Sequence, residues 1–188
     1  MKISVKCGGL MLATVTIAAC SGCHESKNAG DFGVSAAATN AASTQPSLED
    51  LLPKQAQPKL PTIKVWVGAE ELETEMALTG EQQMTGMMWR TNMPENTAML
   101  FVHPAPRQAA YWMKNCYVPL SIAYIATDGT ILEIHNMQPH DTNSVVSAAT
   151  NVRFALETPQ GWFKRHDIQP GAVVRTERGS LAETFLRR

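Results

Sequence analysis

The stretch Leu120-Ser121-Ile122-Ala123-Tyr124-Ile125-Ala126-Thr127-Asp128-Gly129-Thr130-Ile131-Leu132-Glu133-Ile134-His135 decides the fold. Its first seven residues form a short apolar run of strand length. Asp128-Gly129 is a hairpin turn signal, and Thr130 to His135 resumes as a second strand. Two strands joined by so short a turn must lie antiparallel. Outward from this hairpin the same grammar repeats. Thr62 to Val67 alternates and is β-branched. Glu71 to Leu78 alternates more weakly and is expected to pair with it across Gly68-Ala69-Glu70. Ala98 to Val102, Ala109 to Met113, Val152 to Thr158 and Ala172 to Arg175 are further short apolar strands. Thr79-Gly80-Glu81-Gln82 fits a capping box, with Thr79 as N-cap, opening a helix to about Trp89. That helix would place Met84, Met87 and Met88 on one face, with Pro94 beyond its end. Gly161 to His166 reads as a second short helix. The expected fold is α+β, mostly antiparallel, with a curled barrel-like sheet of about seven or eight strands and two short helices. It should occupy residues 62–178, leaving 179–188 as a C-terminal tail.

Upstream lie segments of different composition. Lys2 and Lys6 precede an uncharged run from Cys7 to Ala19. That run is too short to span a bilayer as a helix, which takes about 20 residues, and it has the length of a signal-peptide core. It ends Ile17-Ala18-Ala19-Cys20, which looks like a bacterial lipobox. Residues 1–19 are therefore expected to be a signal peptide and Cys20 the lipidation site. Two or three acyl chains on Cys20 would hold the protein at a membrane, where one chain alone is marginal. Ser21 follows the cysteine, where Asp would hint at inner-membrane retention. By resemblance to that sorting rule, an outer-membrane address is favoured in a Gram-negative source. From Cys20 to Pro61 the chain is expected to be a disordered tether. It is rich in Ala, Ser, Thr, Asn, Gln and Pro, and buries too little apolar surface to offset the entropy of ordering. Within it Ser47 to Leu52 has the pattern of one short helix capped by Ser47.

The 188 residues carry 16 basic and 17 acidic side chains, a formal charge of −1. Without the leader the balance is 14 basic against 17 acidic, and over 62–188 it is 11 against 13. No electrostatic case exists for nucleic acid, and charge will not hold this domain to an anionic membrane surface. The lipid on Cys20 must do so. Four cysteines are too few for a disulfide scaffold.

Several blocks resemble one family. They are Thr79-Gly80-Glu81-Gln82-Gln83-Met84-Thr85-Gly86-Met87-Met88-Trp89-Arg90, Met99-Leu100-Phe101-Val102, and Tyr111-Trp112-Met113-Lys114-Asn115-Cys116-Tyr117-Val118-Pro119-Leu120. Gly129-Thr130-Ile131-Leu132-Glu133-Ile134 and Arg153-Phe154-Ala155-Leu156-Glu157-Thr158-Pro159-Gln160-Gly161-Trp162-Phe163 follow, then Ile168-Gln169-Pro170-Gly171. Together they resemble the bacterial and archaeal domain of unknown function family number 192, over about residues 62–176. The resemblance implies a compact α+β domain, often exported, and implies no activity. The chain departs from the family pattern at Cys116, commonly Thr, and at Ser121, commonly Asp.

Candidate site residues come from these blocks. Trp112 and Lys114 would share one strand face, with Trp112 stacking on a sugar or flat ligand and Lys114 meeting an anion. Asn115, beside a loop with Pro119, suits a binding role. Glu81, Arg90 and Glu157 are charges embedded in apolar blocks, so each needs a partner. The expected ligand-binding set is thus Trp112, Lys114, Asn115, Glu81, Arg90 and Glu157. The plainer alternatives are a core Trp112, ion pairs of Lys114 with Glu157 or Glu81 and of the glutamates with Arg90 or Arg153, or a helix-dipole role for Glu81 in its first turn. The leading functional expectation is a non-enzymatic envelope module binding a small ligand, glycan or partner protein, with no cofactor. A second is an envelope hydrolase using Glu81 or Glu157. A third is copper binding by Met84, Met87, Met88, Met93, Met99, Met113 or Met137 with His103, His135 or Cys116, although a methionine stripe at helical spacing is more simply core filler. Cys116 with His140 or His166 is a further nucleophile candidate, against a plain buried cysteine. No phosphate loop, zinc-protease motif, serine elbow or dinucleotide fingerprint is present.

Overall fold

The computed structural model describes residues 47–187. The expected leader 1–19, Cys20 and the expected spacer up to residue 46 lie outside the described residues. Ten strands and four short helices follow in the order α1 (Leu48–Leu51), β1 (Thr62–Val67), β2 (Glu70–Ala77), α2 (Gly80–Thr85), β3 (Thr97–Arg107), β4 (Ala110–Tyr111), β5 (Leu120–Ile125), β6 (Ile131–Met137), β7 (Val145–Val146), β8 (Val152–Pro159), α3 (Trp162–Arg165), β9 (Val174–Thr176), β10 (Gly179–Ser180) and α4 (Leu181–Phe185). Eight strands make one sheet in the order β10-β9-β1-β2-β3-β8-β5-β6, and β4 pairs with β7 apart from it.

The α+β class is as expected, but two finer expectations need correction. The sheet is mixed, because β2 and β3 run parallel while the other pairs are antiparallel. A parallel pair needs a long crossover, and residues 78–96, which include α2, supply it. The sheet is also open rather than a closed barrel. Its far side curls toward β9 through one bridge, Thr130 to Val173, and hydrogen bonds such as Ile131 N–H to the Ala172 carbonyl at 2.8 Å. No ladder completes the closure among the described residues. Gly129 sits in the tight turn at this point with φ +93°, and a Cβ there would lie 2.7 Å from the Val174 carbonyl oxygen. Only glycine fits such a backbone approach.

The sheet buries apolar residues on both faces. All six residues of β5 are buried, as a strand covered on both sides requires. One core layer gathers Val65, Leu100, Leu156, Trp162 and Val174 inside the curl, covered by α3 and α4. The other gathers Met87, Met99, Phe101, Met113 and Tyr124. Residues 47–61 were expected to end a disordered spacer. Instead Leu52 and Leu60 are buried in this second layer. The Trp89 indole N–H donates to the Pro53 carbonyl at 2.8 Å, and Gln57 Nε2 donates to the Gly86 carbonyl at 2.9 Å. Residues 179–187, expected to be a tail, contribute β10 and the buried Leu181 to the domain.

The capping box forms as expected, with Thr79 accepting from the Gln82 N–H and Gln82 bonding back. The helix stops at Thr85, earlier than the sequence suggested, because Gly86 turns the chain at φ +45°. The three methionines therefore do not form one helical stripe. Met87 and Met88 are buried and Met84 is exposed.

Candidate functional site

β8 runs between β3 and β5, so Glu157 stands mid-sheet with Met99 and Ile122 as cross-strand neighbours. Strand alternation puts its side chain on the face of Ala155, which packs in the layer with Phe101 and Met113. There it lines a space of ≈ 40 Å³ together with the turn after α2, Phe101, Tyr111, Trp112 and Cys116. Glu157 is only 4% exposed. Its Oε2 is buried and has no hydrogen-bond partner; no other buried side-chain oxygen or nitrogen among the described residues is left so. Burial pushes its pKa up to about 8, so the carboxyl holds a proton at neutral pH.

The cavity adjoins an outer cleft of ≈ 320 Å³, with which it shares Gln83, Met84, Tyr111 and Trp112. His103 and Arg107 from β3 line the outer part. Gln83 fixes this wall, since its Nε2 donates to the Val102 carbonyl at 2.8 Å and the Ala77 carbonyl at 3.2 Å. Tyr111 packs edge-on against Phe101, with centroids 5.1 Å apart, and its hydroxyl meets His103 Nε2 at 3.3 Å. Burial, with the nearby Arg107 and Arg153 charges, lowers the His103 pKa to about 4, so the ring is neutral. Burial and then the Glu157 charge raise the Tyr111 hydroxyl well above its ordinary value and push the Cys116 thiol up to about 12. Cys116 is thus a buried thiol rather than a nucleophile. His140 meets it only through the backbone, donating its N–H to the Cys116 carbonyl at 3.2 Å.

Of the six residues expected in a binding site, only Trp112 and Glu157 come together. Lys114 pairs with Glu49 of the N-terminal segment at 2.7 Å, not with Glu157 or Glu81. Asn115 adopts φ +56°, and its carbonyl accepts the Trp89 N–H at 2.7 Å, so it shapes a turn. Glu81 is exposed in the first turn of α2 and lines neither space, so it forms no carboxylate pair with Glu157 there. Arg90 grips Glu75 with two hydrogen bonds, 2.5 and 2.8 Å, both side chains mostly buried. Burial alone would raise the Glu75 carboxyl. Hydrogen bonds from Arg90 and the Leu60 N–H, with the Arg90 charge, outweigh it and hold the group below the ordinary range. The sequence reading passed over Gln83, Arg107 and Tyr111. The signal for Gln83 was a polar residue one step past the capping box, at the point where the helix turns inward.

A further groove of ≈ 280 Å³ lies between Ser121 and the segment after α3. Ser121 is fully engaged there, donating to Asn136 Oδ1 at 2.5 Å and accepting the Gly161 N–H at 2.8 Å. No helix among the described residues is long and apolar enough to cross a membrane, and no group of three His, Cys, Asp or Glu could hold a metal there.

No curated protein matches the chain. A crystal structure of a putative transcription regulator from Sinorhizobium meliloti 1021 is similar, with 31% identity and a TM-score of 0.60, covering 64% of this chain and 98% of that one. A protein of unknown function from Novosphingobium aromaticivorans DSM 12444 is similar at 27% identity and a TM-score of 0.60, covering 70% of this chain and 98% of that one. The family model DUF192, described as Uncharacterized ACR, matches residues 63–176, the span from β1 to β9 that builds the sheet and the Glu157 cleft. Over that span this chain belongs to the DUF192 family.

Proposed function

We propose that the protein is an exported lipoprotein, acylated on Cys20, whose domain is a non-enzymatic module that binds a small ligand in the Glu157 cleft. The unpartnered Glu157 Oε2 carries this reading. A buried polar atom without a partner costs free energy, and a ligand group entering from the cleft would supply the missing hydrogen bond. Turnover has less support. The neutral His103 and the high-pKa Cys116 provide no activated base or nucleophile beside Glu157.

Two measurements test this. The full chain in detergent micelles is screened by NMR against a library of small polar fragments. Binders should shift Gln83, Tyr111 and Trp112, and Glu157→Gln should weaken them at least tenfold. Fragments that bind only elsewhere would refute the cleft. Mass spectrometry should find acylated Cys20, and C20A should leave the detergent phase.

One observation favours a second reading. Met84, Met87, Met88 and Cys116 all line the cavity of Glu157, and thioether with thiol suits Cu(I). Competition with bicinchoninate decides it: copper binding demands that the protein strip the chelator and that M87L/M88L abolish the transfer.

A further inference from the structure

We infer that the ligand is a small amino acid-like zwitterion, its primary ammonium seated against Glu157 in the inner cavity and its carboxylate directed to Arg107 in the outer cleft. The inference rests on the reading of this cleft as a binding site. The inner space of ≈ 40 Å³ is small. A water needs roughly 10–15 Å³, so the space takes about three water-sized groups. An aminomethyl end fits that size, whereas a sugar ring does not.

The walls select charge. Phe101, Tyr111 and Trp112 surround the space, and aromatic faces attract cations. The carboxyl at its floor lacks a partner. Its proton is held by burial alone, and an entering ammonium offers the charge that would let it leave. The other titratable groups in its field, Tyr111, Tyr124 and Cys116, are neutral and stay so. Its cross-strand neighbours Met99 and Ile122 carry no charge. Among the described residues no second carboxylate lines the inner space.

The mouth has the opposite preference. Arg107 lines the outer cleft, donates Nε–H to the Gln108 carbonyl at 3.2 Å, and makes no ion pair among the described residues. A guanidinium with open donors is matched in shape to a carboxylate. His103 beside it is neutral and adds no second positive charge. The two ends together call for a molecule with an amine at one terminus and a carboxylate at the other.

The test uses the full chain in micelles with glycine, β-alanine, 4-aminobutyrate and 6-aminohexanoate as probes, plus the matched amines, acids and alcohols. Calorimetry gives affinity, and NMR shifts at Tyr111 and Trp112 locate binding. One chain length should bind at least tenfold tighter than both its amine and its acid analogue. Glu157→Gln should remove the preference for the amine, and Arg107→Gln the preference for the carboxylate. Affinity should rise with pH and level off near 8. An alcohol that binds in the cleft as tightly as the amino acid overturns the zwitterion and leaves the binding site standing. If no probe perturbs the cleft the zwitterion also falls, and the fragment screen then judges the site by itself.

Discussion

Glu157→Gln should make the protein more stable, by an amount that grows with pH. The Glu157 carboxyl titrates near 8 in the folded state against an ordinary value of 4.5. Below pH 4.5 it is protonated folded and unfolded alike and has no effect on the pH dependence. Between 4.5 and 8 the unfolded chain releases a proton that the folded chain holds, so stability falls as pH rises, by about 1.4 kcal/mol per pH unit. The difference is about 3 kcal/mol at pH 7 and about 4 kcal/mol at pH 8, and it levels off near 5 kcal/mol above that. Gln keeps the shape and the unmet hydrogen bond but cannot ionise, so the two chains should be equally stable at pH 4. Urea unfolding of both full chains from pH 4 to 9, followed by tryptophan fluorescence, measures the gap. Other titrating groups are common to both chains and cancel in the difference. A gap that stays constant from pH 4 to 9 would refute the buried, unpartnered carboxyl, and a less stable E157Q at pH 7 would do so as well.

Gly129→Ala should cost about 2–4 kcal/mol in a denaturant titration, since it combines a positive φ with a Cβ 2.7 Å from the Val174 carbonyl. Gly68→Ala, in the β1–β2 turn at φ +64° but with nothing within 4 Å, should cost only about 1 kcal/mol, and equal losses would discredit the clash. Arg90→Ala leaves Glu75 in a mostly buried site and should lose about 3 kcal/mol at pH 7. Glu75 has a lowered folded pKa, so that stabilisation should fade in melts as pH falls through the carboxylate range; a loss unchanged in acid counts against the ion pair. His103 stays neutral down to about pH 4 while its unfolded counterpart charges below 6.5, so stability is lost as pH falls between those values. His103→Gln should flatten that acid arm in melts, and a slope that persists unaltered would mean the ring is solvated.

The strands were legible because period-two patterning and hairpin turns are local. Thr62 to Val67 and the capping box at Thr79 appear where the residues place them. The parallel β2–β3 pair was not legible, since an apolar run such as Ala98 to Val102 carries no mark of direction. Nor did composition reveal that residues 47–61 pack. Leu52 and Leu60 lie in a largely polar stretch, and only the core layer that holds Met87 and Met113 gives them a place. At the site, Arg90 and Glu157 were both expected to have partners, since a buried charge needs one. Sequence alone could not say that Arg90 would find Glu75, fifteen residues away, while Glu157 would find nothing.

That contrast separates structure from function in this fold. Arg90 and Glu75 are satisfied, so their presence explains itself as a clasp between β2 and the turn after α2. Glu157 opposes the stability of the sheet that holds it. At pH 7 it imposes about 3 kcal/mol, a sizeable share of the roughly 5–15 kcal/mol that a domain commonly retains. Leucine or methionine would complete the same layer without that cost. Nothing in the folding of β8 calls for a carboxyl between Met99 and Ile122. What gives it a use is the small aromatic cavity above it and the open guanidinium at the cleft mouth. A ligand that bonds Oε2 binds the folded state alone, and so would return stability in proportion to the logarithm of its concentration over Kd. The wild-type melting temperature should therefore climb with the right amino acid, while E157Q, which binds it at least tenfold more weakly, should need a correspondingly higher concentration for the same rise.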